Sequence, residues 1–88
     1  MITFGAKPHQ MNIEEFIIKI EEEIPDLVPH KLRPESTYRD MIDLNYVNVQ
    51  ALIAMVDYEF EVTLKTQDFK RSKTIQELFN IIQAKISD

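Results

Sequence analysis

Residues 45–61 read NYVNVQALIAMVDYEFE, and the spacing within this stretch decides the fold. Val49, Leu52, Ile53, Val56 and Phe60 recur at helical intervals, and Asn45 offers a side-chain oxygen to cap the first turn. The apolar stripe is broad enough to face two neighbours, so the helix belongs in a bundle. On its N-terminal side, Ile13, Phe16, Ile17, Ile20 and Ile24 form one face of another helix, and Glu14, Glu15, Lys19, Glu21, Glu22 and Glu23 cover the rest. Asn12 and Glu15 have capping-box spacing at its start, and Pro25 stops it. On the C-terminal side, Thr66 to Arg71 predicts one or two turns anchored by Phe69. Thr74 and Glu77 then repeat the capping box ahead of Ile75, Leu78, Phe79, Ile82 and Ile86. The expected fold is all-α, with three long helices and one short one.

Between the first two long helices, Pro25, Pro29 and Pro34 each remove a backbone donor and bias the preceding residue away from helix. The stretch to Leu44 is therefore expected to be a long ordered loop lying on the bundle, with room for a helical turn. Leu27, Val28, Leu32, Tyr38, Met41 and Ile42 are its expected apolar anchors. Residues 1–10 contain Gly5 and Pro8 and have no clear period, so they read as a loosely held lead-in to a domain over 11–88.

The chain has 88 residues, 44% hydrophobic and 28% charged, which suits one small globular domain and leaves little volume for a large internal active site. Its net charge of −5 has the wrong sign for neutralising phosphates, so nucleic acid is not an expected partner. It has no Cys, and the isolated His9 and His30 make no metal constellation. No apolar run approaches the roughly 20 residues that cross a bilayer, and the start lacks the layout of a secretory signal. A cytoplasmic, monomeric, non-enzymatic protein is the expectation.

Three segments, in order, resemble the acyl and peptidyl carrier proteins, whose domain carries 4'-phosphopantetheine. Leu32-Arg33-Pro34-Glu35-Ser36-Thr37-Tyr38-Arg39-Asp40-Met41 is similar to that family's "L-x-P-x-x-x-F-x-D-L" approach to helix two. Leu52 to Val62, ending Tyr58-Glu59-Phe60-Glu61-Val62, is similar to the end of that helix, and Lys73-Thr74-Ile75-Gln76-Glu77-Leu78 to the "T-V-x-D-L" start of helix four. The resemblance covers most of the chain and implies an acyl-carrier-like four-helix bundle with a long loop between helices one and two.

The chain departs from the family where the carrier chemistry belongs. The family places a serine, usually in "G-x-D-S-L", at the start of helix two, and its hydroxyl accepts the phosphopantetheine arm. The segment in register is Leu44-Asn45-Tyr46-Val47, with Tyr46 at the serine position, Asn45 at the Asp, and no Gly before them. A phenol is longer, with a pKa near 10, so a transferase built around Ser would misplace it. The expectation is that 4'-phosphopantetheine is absent. Ser36 and Thr37 lie too far back in the loop to replace it, and Ser72 and Ser87 are further still.

The resemblance also implies docking through helix two, where the family uses acidic residues against basic patches. Here the corresponding Asn45, Asn48 and Ala51 are uncharged, while Asp40, Asp43 and Asp57 keep acidity on either side. The candidate docking set is therefore Asp40, Asp43, Asn45, Tyr46, Val47, Asn48, Gln50, Ala51 and Asp57. Tyr46 and Val47 can be an exposed hot spot, or Tyr46 can fold over the neighbouring loop as a lid on the bundle. Glu21 to Glu23 read as a solvated face, Asp57, Glu59 and Glu61 as solubilising charge, and Met41 and Met55 as flexible core fill, although in the family the region between helices two and three opens to shelter acyl chains, which leaves a lipid bound without a covalent tether as a further expectation from the resemblance. The leading function is a carrier-like domain acting by noncovalent contact with enzymes of a carrier-dependent pathway or with a paralogous carrier. The alternatives are a working carrier whose serine is missing or replaced by an unusual attachment site, and an unrelated helical adaptor.

Overall fold

The computed structural model describes residues 11–87, so the lead-in expected over 1–10, His9 and Asp88 lie outside the described residues. Four helices follow one another: α1 (Ile13–Glu23), α2 (Tyr46–Phe60), α3 (Thr66–Arg71) and α4 (Ile75–Ser87). The described residues contain no strand, only an isolated antiparallel bridge between Thr37 and Thr74. The all-α expectation holds, and so does the pattern of three long helices and one short.

The helix starts are set by local chemistry. The Glu15 N–H donates to Asn12 Oδ1 at 2.8 Å while the Asn12 N–H donates to Glu15 Oε1 at 3.1 Å, the reciprocal pair its sequence spacing predicts. At α2 the Asn48 N–H donates to Asn45 Oδ1 at 2.8 Å. At α4 the Glu77 N–H donates to Thr74 Oγ1 at 3.1 Å, and Glu77 Oε1 accepts from the N–H groups of both Lys73 (2.6 Å) and Thr74 (3.3 Å). These two bonds hold the Glu77 carboxyl below the usual carboxylate range. α2 ends on Glu61, whose φ of 59° is left-handed, the conformation that closes many helices and suits glycine best.

α1 packs against α2 and α4, and α3 packs against α4. The rings of Phe16, Phe60 and Phe79 meet at centroid distances of 5.5 to 6.2 Å, one from each long helix. Ile20, Val56, Ile75 and Ile82 are fully buried around them.

The long loop is structured, with a 3-10 turn at Tyr38–Asp40. Leu27, Leu32, Tyr38 and Ile42 are buried as expected. Val28 and Met41 are not: they are 60% and 37% exposed, a correction to their reading as anchors. The Leu27 N–H bonds back to Ile24 and turns that side chain inward, leaving Val28, the next residue, outside. Ile42, four residues after Tyr38 and bonded to its carbonyl through the backbone, takes the inward face instead of Met41. Met55 does fill the core.

The loop backbone also serves α4. The Ile75 N–H donates to Ser36 O at 3.2 Å and the Gln76 N–H to Pro34 O at 2.8 Å, so loop carbonyls satisfy orphan donors of α4's first turn. Below them the Tyr38 hydroxyl sits 2.7 Å from Ser72 Oγ and within reach of the Phe69 and Ser72 carbonyls, and the Ser72 hydroxyl donates to Asp68 O at 2.7 Å. Burial raises the Tyr38 phenol above its usual pKa, against the opposing pull of the Ser72 bond. Asp68, also buried, accepts from the Lys65 N–H and pairs with Lys85 of α4 at 3.2 Å.

Candidate functional site

Because Asn45 turns its side chain back to cap α2, the two residues that follow emerge at the helix start with no turn above them. Tyr46 is 79% exposed and Val47 71% exposed. Of the two arrangements open from sequence, the structure takes the exposed one. Asp43, Asn45 and Asn48 fix the approach: Asn48 Nδ2 donates to the Asp43 carbonyl at 2.7 Å and Asn45 Nδ2 to the Asp43 carboxylate at 3.3 Å. Asn45 and Asn48 therefore hold the loop to the helix as well as lining the surface.

Asp40, Asp43, Asn45, Tyr46, Val47, Gln50 and Asp57 are exposed, whereas Asn48 and Ala51 are half-buried, Ala51 against the core. Asp57 lies eleven residues beyond Tyr46, about 17 Å along the axis at 1.5 Å per residue, so it shares the outer face but not the patch at the helix start. Exposed Gln50, Ala54 and Tyr58 connect the two, and Tyr58 is 81% exposed. The outer face of α2 is thus largely uncharged. Residues 40–64 hold Asp40, Asp43, Asp57, Glu59 and Glu61 and no Lys, Arg or His, a second acidic stretch beside that of α1, where Glu14, Glu15, Glu21, Glu22 and Glu23 outnumber Lys19.

Tyr46 presents the hydroxyl at the start of α2. Ser36 Oγ is occupied as acceptor for the Arg33 N–H at 2.8 Å, and Ser72 is sealed in the core. The residues at this position therefore do not fit a phosphopantetheine arm attached through serine. Glu59 pairs with Lys19 of α1 at 3.5 Å, which with Glu22 at 3.7 Å raises the Lys19 ammonium above its usual value, Glu59 contributing most. Glu21, within the run read as a solvated face, accepts the His30 N–H at 3.0 Å and pins the loop where His30 has a φ of 69°. Among the described residues no group of three or more His, Cys, Asp or Glu could hold a metal ion.

A cleft of about 300 Å³ opens between the loop, α2 and α3, lined by Arg39, Leu44, Val49, Thr66, Phe69 and Lys70. No protein-family model, curated protein or solved structure matches the chain. Among the described residues no helix is long and apolar enough to cross a membrane. Sequence reasoning found the exposed start of α2 and, through the family resemblance, the region between helices two and three, but not the residues that line this cleft or the Asp68 to Lys85 pair. The available signal was Lys70 beside the lone anchor Phe69 on a short helix, which says only that a cation flanks an apolar residue.

Proposed function

We infer that this chain is a carrier-like helical module that works without a covalently attached arm, by noncovalent protein contact through the outer face of α2 and the loop ahead of it. The observation that carries the reading is Tyr46, an exposed phenol at the first residue of α2, at the end of a long ordered loop. Tyrosine is among the residues enriched at interface hot spots, and its ring with one apolar and one polar end suits an anchor. The unbalanced acidity of residues 40–64 gives the face an electrostatic preference for a basic partner, an effect that acts chiefly on encounter rate and partner choice. The partner class is an enzyme of a carrier-dependent biosynthetic pathway or a paralogous carrier, and the module itself performs no chemistry.

The test is intact-protein mass after incubation with coenzyme A and a broad-specificity phosphopantetheinyl transferase, beside a standard carrier. An unchanged mass is expected. Addition of one phosphopantetheine would make the chain a working carrier with an unusual attachment residue. The variant Tyr46→Ser separates the remaining readings: modification of the variant supports carrier ancestry, and no modification beside a fully converted control favours an unrelated helical adaptor.

A further inference from the structure

Residues 65–73 reverse the charge of the chain around them. Lys65, Lys70, Arg71 and Lys73 are all exposed, and among the described residues none of the four takes part in an ion pair. The one carboxylate in the segment, Asp68, is buried and held by Lys85 at 3.2 Å and by the Lys65 backbone N–H, so it neutralises none of the four. α3 and its flanks therefore carry a bare cationic patch on a protein of net charge −5. The acidic end of α2 lies next to this patch in the chain. Asp57 and Glu61 are four residues apart at the end of that helix, and Glu61 is four residues from Lys65, a reach of at most about 14 Å. Both carboxylates are exposed, neither forms an ion pair among the described residues, and the exposed ring of Tyr58 accompanies them on α2.

Opposite charges that sit side by side and stay unpaired within one chain make a surface complementary to itself. A two-fold axis between two copies sets α3 of each against the α2 end of the other, and every contact then occurs twice. We propose that the chain forms a weak symmetric dimer through this surface, with Lys70 and Arg71 of one protomer facing Asp57 and Glu61 of the other and Tyr58 supplying uncharged contact area. The net charges do not prevent it. Centres 23 Å apart, the shortest dimension of the molecule, are almost three Debye lengths away from each other at about 0.15 M salt, where that length is about 8 Å, whereas pairs at contact distance are screened far less. The dimer departs from the monomer expected from sequence. It uses the C-terminal end of α2 and leaves Tyr46, about 17 Å back along the helix axis, outside the interface, so it stands apart from the docking role of that residue.

The experiment is sedimentation equilibrium of the full chain at concentrations up to about 1 mM, the weak end of specific association. A monomer–dimer equilibrium that stops at two copies is expected, with its dissociation constant raised at least about tenfold between about 0.15 M and about 1 M salt. Two charge reversals locate the contact: Lys70→Glu with Arg71→Glu, and Asp57→Lys with Glu61→Lys. All four positions are exposed, so both variants keep the fold. Each variant alone sets like charges across the axis and should sediment as a monomer. Mixed one to one, the variants rebuild both charge pairs in the opposite sense, and a dimer within about threefold of the original affinity should return. A parent chain that stays monomeric throughout, a dimer untouched by either reversal, a mixture that stays monomeric, or growth beyond two copies would each overturn the proposal.

Discussion

Tyr38 ties the long loop to α3 and its C-cap through one hydroxyl, which makes its ionisation a report on that packing. Its folded pKa is raised, mainly by burial, so the folded state holds the phenolic proton more tightly than the unfolded chain. The stabilisation is complete below the unfolded value of 10.0 and is lost as pH rises through the folded value. Denaturant unfolding across that range should show stability falling, and Tyr38→Phe should flatten the fall. The same variant leaves Ser72 still bonded to Asp68 O, so at neutral pH its cost should be about 1 kcal/mol, the worth of one hydrogen bond. Glu77 works with the opposite sign: its lowered pKa gives a contribution present above the unfolded value of 4.5 and lost as pH falls through the folded one. Glu77→Gln should therefore shrink the acid-side loss of stability in the same measurement.

At the scale of elements, the helix ends hold the clearest leverage. Glu61 closes α2 in the left-handed region, where a residue with a Cβ is strained by roughly 1–2 kcal/mol. Glu61→Gly should raise the unfolding free energy by up to about 1 kcal/mol after the entropy of glycine is deducted, read as a higher denaturant midpoint. Asn45→Ala should cost about 1 kcal/mol and loosen the contact to Asp43, read as faster exchange of the Asn48 amide. These ends were legible in sequence because a cap is a local event: Asn12 with Glu15, Asn45, and Thr74 with Glu77 all carry their partners within three residues. The loop was legible in length but only partly in contact, since the bond that turns Leu27 rather than Val28 inward runs between backbone atoms, which no side-chain pattern marks. Asp68 and Lys85 lie on different helices, and nothing near either residue in sequence points to the other. Of the candidate site, exposure of Tyr46 follows from its place beside a cap, whereas Arg39 and Lys70 share a cleft only through tertiary packing.

For the whole molecule, the uneven charge is a measurable property. Asp57→Asn with Glu61→Gln removes two charges from residues 40–64, which hold no cation, and Glu22→Gln with Glu23→Gln removes two from α1, where Lys19 already pairs with Glu22. Equal net charge makes the pair a test of distribution: the α2 double variant should elute earlier from an anion exchanger, and the gap should close as salt shortens the Debye length to about 3 Å near 1 M. Equal elution at low salt would mean the surface field is even. The carbonyls of Pro34 and Ser36 that receive the N–H groups of Gln76 and Ile75 bear on how this chain can lengthen. A segment that completes a helix more than thirty-five residues downstream must keep its register, so one extra residue between Ser36 and Thr37 withdraws both acceptors from α4. The exposed turn at Val28 and Pro29 is tied only through the neighbouring His30 N–H to the Glu21 side chain, and several glycines and serines inserted there should lower melting little, because closure entropy grows only slowly with loop length. The loop is thus two pieces with different tolerance of added length, a first half held by one side-chain bond and a second half whose backbone is part of another helix's first turn.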